Sequence, residues 1–223
     1  MTENGAGDGR GTRMRADARR NRDQIAKAAR GIFAEQGVDV PMEEIARRAG
    51  VGVGTLYRNF PDRDALIEAV AVDGMRLLIE VARSSRDREA EPWQVLRSVL
   101  RRSIELRLGW LHSALQPRLV EAIRNNRELR EARRILFELV EELVRDSQAA
   151  GAIRDDVRTA DVVLIFGLVS RPLPAVPTEL ADTARVRMLE IALEGLRPNP
   201  ARPLPGRAIS MRELTVGWPD SAN

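Results

Sequence analysis

Ala46-Arg47-Arg48-Ala49-Gly50-Val51-Gly52-Val53-Gly54-Thr55-Leu56-Tyr57-Arg58-Asn59-Phe60 is the stretch whose reading decides the fold. It reads as the end of one short helix, a glycine turn, and a second short helix. Gly50 sits at the turn, where a positive φ is easiest for a residue without a Cβ, and Val51 packs beneath it. In the second helix, predicted over about Val53 to Phe60, Leu56 and Phe60 lie four apart and form a core face. Thr55, Tyr57, Arg58 and Asn59 are left on the other sides. A helix, a tight turn and a second helix bearing Thr, Tyr and Arg are the parts, in order, of a helix-turn-helix that reads DNA.

The flanks extend this pattern. Upstream, Ile25, Ala29, Ile32 and Phe33 recur at helical spacing and predict a helix from about Asp17 to Gln36, which Gly37 is placed to end. Pro41 suits the first turn of the next helix. Glu43 and Glu44 complement its N-terminal dipole, and Ile45, Ala46 and Ala49 face inward. Downstream, Pro61 stops the third helix. Asp62 is placed to cap a fourth, predicted to about Arg83 with Leu66, Val70, Leu77, Leu78 and Val81 inward.

Charge separates this segment from the rest. The chain has 36 Lys and Arg, all but Lys27 being Arg, against 33 Asp and Glu, a net +3. Residues 1–63 hold twelve of the cations and nine of the acids, so the whole excess lies there and residues 64–223 are neutral. That asymmetry suits a nucleic-acid-facing head on a neutral body. Before it, Arg13, Arg15, Arg19, Arg20 and Arg22 form a basic run suited to phosphates or the minor groove.

The remainder reads as helices. Pro92 opens one carrying Trp93, Leu96, Val99, Leu100, Ile104, Leu108 and Leu111 up to Pro117, with short helical material to about Arg124. A long amphipathic helix is predicted over Glu128 to Ala150, a nearly all-apolar one over Asp161 to Val169, and a last over Glu179 to Leu196. Strand-period alternation is nowhere sustained. The expected fold is all-α: a basic, disordered arm over 1–15, a three-helix DNA-binding head over 16–62, a helical body over 63–196 and a Pro-rich tail over 197–223. Five of the twelve prolines fall in that tail.

The segment from Arg19 to Val70 resembles the N-terminal domain of TetR-family transcriptional regulators. The residues that carry the resemblance are Ile25-Ala26-Lys27-Ala28-Ala29, Phe33, Gly37, Glu44-Ile45-Ala46, Ala49-Gly50-Val51, Gly54-Thr55-Leu56-Tyr57, Phe60 and Asp62-Arg63-Asp64-Ala65-Leu66. It implies that Thr55 and Tyr57 hold backbone phosphates, and that Arg58 and Asn59 meet phosphates or base edges. Gly54 would let the recognition helix approach the major groove, and Arg63 stands where a Lys usually meets a phosphate. Gly52 and Val53 occupy positions that often read bases, which shifts base reading toward thymine methyl contact, Thr55, Arg47 and groove shape. Arg19, Arg47, Val53, Gly54, Thr55, Tyr57, Arg58, Asn59 and Arg63 make the expected DNA-binding set. Pro41 replaces the usual Thr or Ser cap.

The resemblance further implies a homodimer formed through helices 161–169 and 179–196, and a small-molecule pocket in the body. Met75, Leu78, Trp110, His112, Leu115, Phe137 and Phe166 are its candidate lining. The reading is a ligand-responsive regulator, a repressor, that binds a palindromic operator in the bacterial cytoplasm and is released by an effector. An enzyme is not expected: no Ser-His-Asp or phosphate-loop pattern appears, Cys is absent, and His112 stands alone. Neither cofactor nor metal is expected, and neither is a membrane partner, because no apolar run reaches the length of a span; nor is an apolar leader visible. The rival reading is a helical interaction or sensor module with weak or lost operator binding, kept open by the bare Gly52-Val53-Gly54.

Overall fold

The computed structural model describes residues 8–112, 117–171, 173, 175–199 and 202–214, with the side chains of 8–19, 112, 117 and 178 left aside. The described residues are helical and contain no strand: α1 (Asp8–Gln36), α2 (Met42–Ala49), α3 (Val53–Asn59), α4 (Arg63–Arg86), α5 (Pro92–Glu105), a 3-10 turn (Gly109–His112), α6 (Pro117–Asn125), α7 (Arg127–Ala149), α8 (Thr159–Val169), α9 (Thr178–Gly195) and α10 (Met211–Leu214).

Helices α1 to α3 form the head. Ile25, Ala29, Ile32 and Phe33 of α1, Ile45 and Ala46 of α2, and Leu56 and Phe60 around α3 are all buried. With seven residues, α3 is too short to persist alone. Burial of Leu56 and Phe60, worth roughly 1.5–3 kcal/mol each, holds it. Gly50 ends α2 at φ 68°; its N–H donates to the Arg47 carbonyl at 3.2 Å, and the Val51 N–H donates to Ala46 at 3.0 Å. This paired closure of a helix end needs the left-handed backbone that glycine adopts freely. Pro41 precedes α2 as its N-cap rather than entering its first turn, and it brings no side-chain cap. Asp62 caps α4 as its position predicts, accepting the Ala65 N–H at 2.8 Å.

Two boundaries differ from expectation. Helix α1 begins at Asp8, not near Asp17: from Arg13 to Arg20 every residue but Asp17 is a strong helix former and no glycine or proline intervenes, which carries the helix upstream of Asp17. The Pro92 helix stops at Glu105 instead of running through Leu111. Its end has the same closure as α2, with the Arg107 N–H donating to Ile104 at 2.9 Å and the Leu108 N–H to Ser103 at 2.8 Å. Here, however, the left-handed residue is Arg107 at φ 55°, the one non-glycine with positive φ among the described residues. A Cβ there costs roughly 1–2 kcal/mol. Gly109 is required two positions later, since a Cβ on it would fall 2.1 Å from the Cβ of Ser170.

The body packs α4, α5 and α7 around Leu66, Val70, Leu78, Leu96, Leu129 and Leu136, with α6, α8 and α9 outside them. Head and body meet where the Phe33 ring stands edge-on to Trp110, centroids 5.3 Å apart at 73°. The segment after α9 lies against the body. Asp156 accepts the Leu204 N–H at 2.9 Å, and Arg154, itself paired with Asp156, donates to the Arg202 carbonyl at 2.8 Å. Val216 and Trp218, the tail's apolar candidates for docking on the body, lie outside the described residues.

Candidate nucleic-acid interface

The outward side of α3 carries Val53, Gly54, Tyr57 and Arg58. Val53 is 40% exposed and Tyr57 42%. Both are apolar or amphipathic groups left in water beside a helix whose other side is core. Gly52 and Gly54 are exposed, and a Cβ added to either would meet no atom within 4 Å. Gly52 sits at φ −67°, so neither internal packing nor backbone strain requires glycine at these two places. What the missing side chains leave is a low surface that another molecule can approach closely.

The polar residues of the same helix are tied to one another. Arg58 Nη2 donates to Thr55 Oγ1 at 2.9 Å, and Asn59 Nδ2 donates to the Thr55 carbonyl at 2.8 Å. Arg58 is exposed while Thr55 and Asn59 are half-buried. On α2, Arg47 is exposed and donates through Nε and Nη2 to Glu44 at 2.9 and 2.5 Å. The Arg47 hydrogen bond also holds the Glu44 carboxyl below its usual range. Such exposed ion pairs are weak and exchange readily for a phosphate or base edge.

Arg63 is tied into the backbone of the head. Its Nη1 donates to the carbonyls of Val38, at 3.0 Å, and Val40, so it clamps the turn between α1 and α2. Arg19 lies in α1, but its side chain is outside the described residues. The structure therefore gathers Val53, Gly54, Thr55, Tyr57, Arg58 and Asn59 on one short helix, with Arg47 one element away and Arg63 behind the preceding turn.

Sequence reasoning missed the part played by Arg22. From α1 its Nη1 donates to the Asn59 carbonyl at 3.0 Å, and its guanidinium lies 4.4 Å from the centre of the Phe60 ring. It thus satisfies a carbonyl at the C-terminus of α3 and stacks on the residue that ends it. The basic run was visible in the sequence. A carbonyl partner 37 positions away was not.

In the body, Met75, Leu78, Trp110 and Phe166 are buried in the core. Phe137 is half-buried beneath Arg133, 4.6 Å from its ring centre. Leu115 and the His112 side chain lie outside the described residues. A groove of about 890 Å³ opens elsewhere, between α4 and α7. Its floor includes Ile79, Ala132 and Ile135, and its rim Arg76, Arg83, Arg127, Glu80 and Glu128; none of the seven expected pocket residues lines it. Among the described residues no His, Asp and Glu cluster could hold a metal ion, and no helix is long and apolar enough to cross a membrane.

Comparison with known proteins bears on both halves of the chain. Residues 25–70 match the pattern of bacterial regulatory proteins of the tetR family. Residues 91–198 match the C-terminal domain of SbtR-like transcriptional regulators. Among solved structures, a TetR transcriptional regulator from Streptomyces coelicolor is 32% identical, with 80% of this chain and 99% of that one covered and a TM-score of 0.54. A TetR transcription regulatory protein from Mycobacterium vanbaalenii is 33% identical, with 83% and 99% covered and a TM-score of 0.50. An HTH-type transcriptional regulator of Staphylococcus aureus strain MRSA252 is 32% identical over 103 residues, 46% of this chain and 55% of the relative. The chain spans about half the length of the curated relatives it matches.

Proposed function

The chain belongs to the TetR family of transcriptional regulators and carries that family's helix-turn-helix DNA-binding domain, and from that premise we propose that it is a homodimeric repressor, released from a palindromic operator by a small-molecule effector. The observation that carries the reading is the outward face of α3. It leaves an aromatic hydroxyl and a guanidinium in solvent, beside two glycines that the fold does not need. With α3 in the major groove, Tyr57, Arg58 and Thr55 hold phosphates. Gly54 admits the backbone to close approach, and Val53 meets a thymine methyl. Arg47 reaches a base or phosphate after leaving Glu44, and Asn59 and Arg19 extend the contact along the strand. Arg63 contributes the nitrogens that its carbonyl clamp leaves over.

Exposed apolar groups on two helices support the dimer. On α9, Leu180, Ala184, Met188 and Ile191 follow helical spacing, opposite the buried Leu189 and Leu193; Leu180 and Ile191 are 53% and 69% exposed. On α8, Leu168 is 59% exposed. A two-fold pairing of these helices buries the α9 stripe together with Leu168 and sets two heads for a two-fold operator. For the effector, the groove between α4 and α7 is the better seat than the buried candidates. It is open, floored by apolar groups and rimmed by charge, and α4 runs from the head directly into it. A ligand there changes operator affinity through α4, and operator changes ligand affinity by the same factor. The division into a head to about residue 62, a body over 63–196, and flanking segments over 1–15 and 197–223 belongs to the same reading, as does action in a bacterial cytoplasm.

Genomic footprinting followed by a salt-titrated mobility assay tests it. A palindromic protected site is expected. Tyr57→Ala is expected to weaken binding across sequences with little change in salt slope, because a neutral hydroxyl releases no counterion, whereas Arg58→Ala is expected to flatten the dependence of log K on log salt by up to about one unit. Unchanged binding by the first variant removes Tyr57 from the interface. A footprint without any palindromic site selects the sensor-module reading instead, which rests on the tied Arg47 and Arg58 and the bare Gly52 and Gly54.

A further inference from the structure

A chain of opposite charges crosses the seam between head and body. Its node is Glu35, in the last turn of α1. Arg48 of α2 grips that carboxylate with both Nη atoms, at 2.6 and 2.7 Å. Arg107 donates through Nη1 to the same carboxylate and through Nη2 to Asp182 of α9 at 2.9 Å. Asp182 also accepts from Arg185 at 2.9 Å. The void left among Glu35, Arg107, Asp182, Ile104, Gly109 and Ser170 is only about 20 Å³. The helix-turn-helix, the last turn of α1, the end of α5 and the first half of α9 are therefore joined through one arginine.

Isolated ion pairs at this exposure contribute little to stability. The backbone of Arg107 says more. Gly37, Gly50 and Gly151 each carry a positive φ at the close of a helix, and Arg107 is the exception among them. Glycine at this position would be unstrained. A strained residue that persists where a relaxed one is available points to a use for its side chain. That side chain has two partners, one in the head and one on α9.

We propose that Arg107 is a positioning residue for operator binding: through Glu35 and Asp182 it sets the angle between the DNA-binding head and α9, and so the half-site spacing that the dimer accepts. The proposal rests on the reading of the chain as an operator-binding dimer paired through α8 and α9. In such a dimer α9 is fixed to its mate, so the angle of each head to α9 fixes the distance between the two recognition helices, and operators are chosen partly on that distance.

The test uses two variants of the full chain. Arg107→Gly relaxes the backbone while removing both arms, and Asp182→Asn weakens only the α9 arm. Binding is measured by fluorescence anisotropy at fixed salt, on the footprinted operator and on duplexes whose half-sites are moved one or two base pairs closer or farther. Melting temperature and sedimentation are followed in parallel. The wild type is expected to prefer the native spacing, and both variants to lose that preference by about threefold or more while remaining folded dimers, an effect in the range by which remote contacts tune coupling. Wild-type spacing ratios in both variants overturn the proposal and leave the repressor reading standing. A wild type that selects no duplex overturns both.

Discussion

Gly54 lies on the exposed side of α3, and an added Cβ would touch nothing within 4 Å. Alanine favours helix over glycine by about 0.5–1 kcal/mol. Gly54→Ala is therefore expected to raise thermal stability slightly while lowering operator affinity, because the new methyl stands between backbone and groove. Calorimetry and anisotropy on one preparation separate the two effects, and equal operator affinity would show that the close approach is not used. Single residues also show where sequence reading stops. Leu56 and Phe60 were legible as core, because spacing four apart is a local signal of helical burial. The bonds of Arg22 to Asn59, of Arg63 to Val38 and of Arg107 to Asp182 were not legible, because an arginine's partner is set by the tertiary fold.

Elements were legible where their ends carry ordinary punctuation. Asp62 before α4 and Gly50 after α2 mark those boundaries correctly. The end of α5 was missed because arginine stands where glycine usually signals a stop. The prolines after α9 signal irregular chain, and no local pattern announces its docking on the loop between α7 and α8. That docking turns on Asp156. The Arg154 hydrogen bond and then the Leu204 N–H lower its pKa from 3.8 to about 2. A carboxyl whose pKa falls on folding stabilises the folded form fully above its unfolded value, and the contribution is lost as pH drops through the folded value. The tail contact is expected to hold at neutral pH and to weaken between about pH 4 and pH 2. Asp156→Ala is expected to release it at neutral pH, read as faster proteolytic cleavage between residues 197 and 214. Equal cleavage rates in variant and wild type would show that the tail is held by other contacts.

Across the whole molecule, the head was the legible part and the body the obscure one. The head is defined by a short run of spacings and by the charge excess. The body's groove is built from amphipathic faces of α4 and α7 that look, in sequence, like any solvated helix surface, whereas Met75, Trp110 and Phe166, whose side chains suggest a pocket, lie in the core. Assembly follows from the same accounting of faces. Ile191→Glu puts a charge into the exposed stripe of α9 and leaves Leu189 and Leu193 buried. It is expected to give a folded monomer by sedimentation, with helicity kept and operator affinity lost by an order of magnitude or more. A variant that still sediments as a dimer would place the interface elsewhere.

The edge-on contact of Phe33 and Trp110 has an optical consequence. Indole emission depends on what lies against the ring, and the ring of Trp110 meets the head from the body. Of the three tryptophans in the chain, Trp93 stands apart near Arg197. Replacing Trp93 and Trp218 with Phe leaves one native chromophore on the seam. Displacement of the head can then be followed by stopped-flow fluorescence, without a label, in the same cuvette to which operator or effector is added.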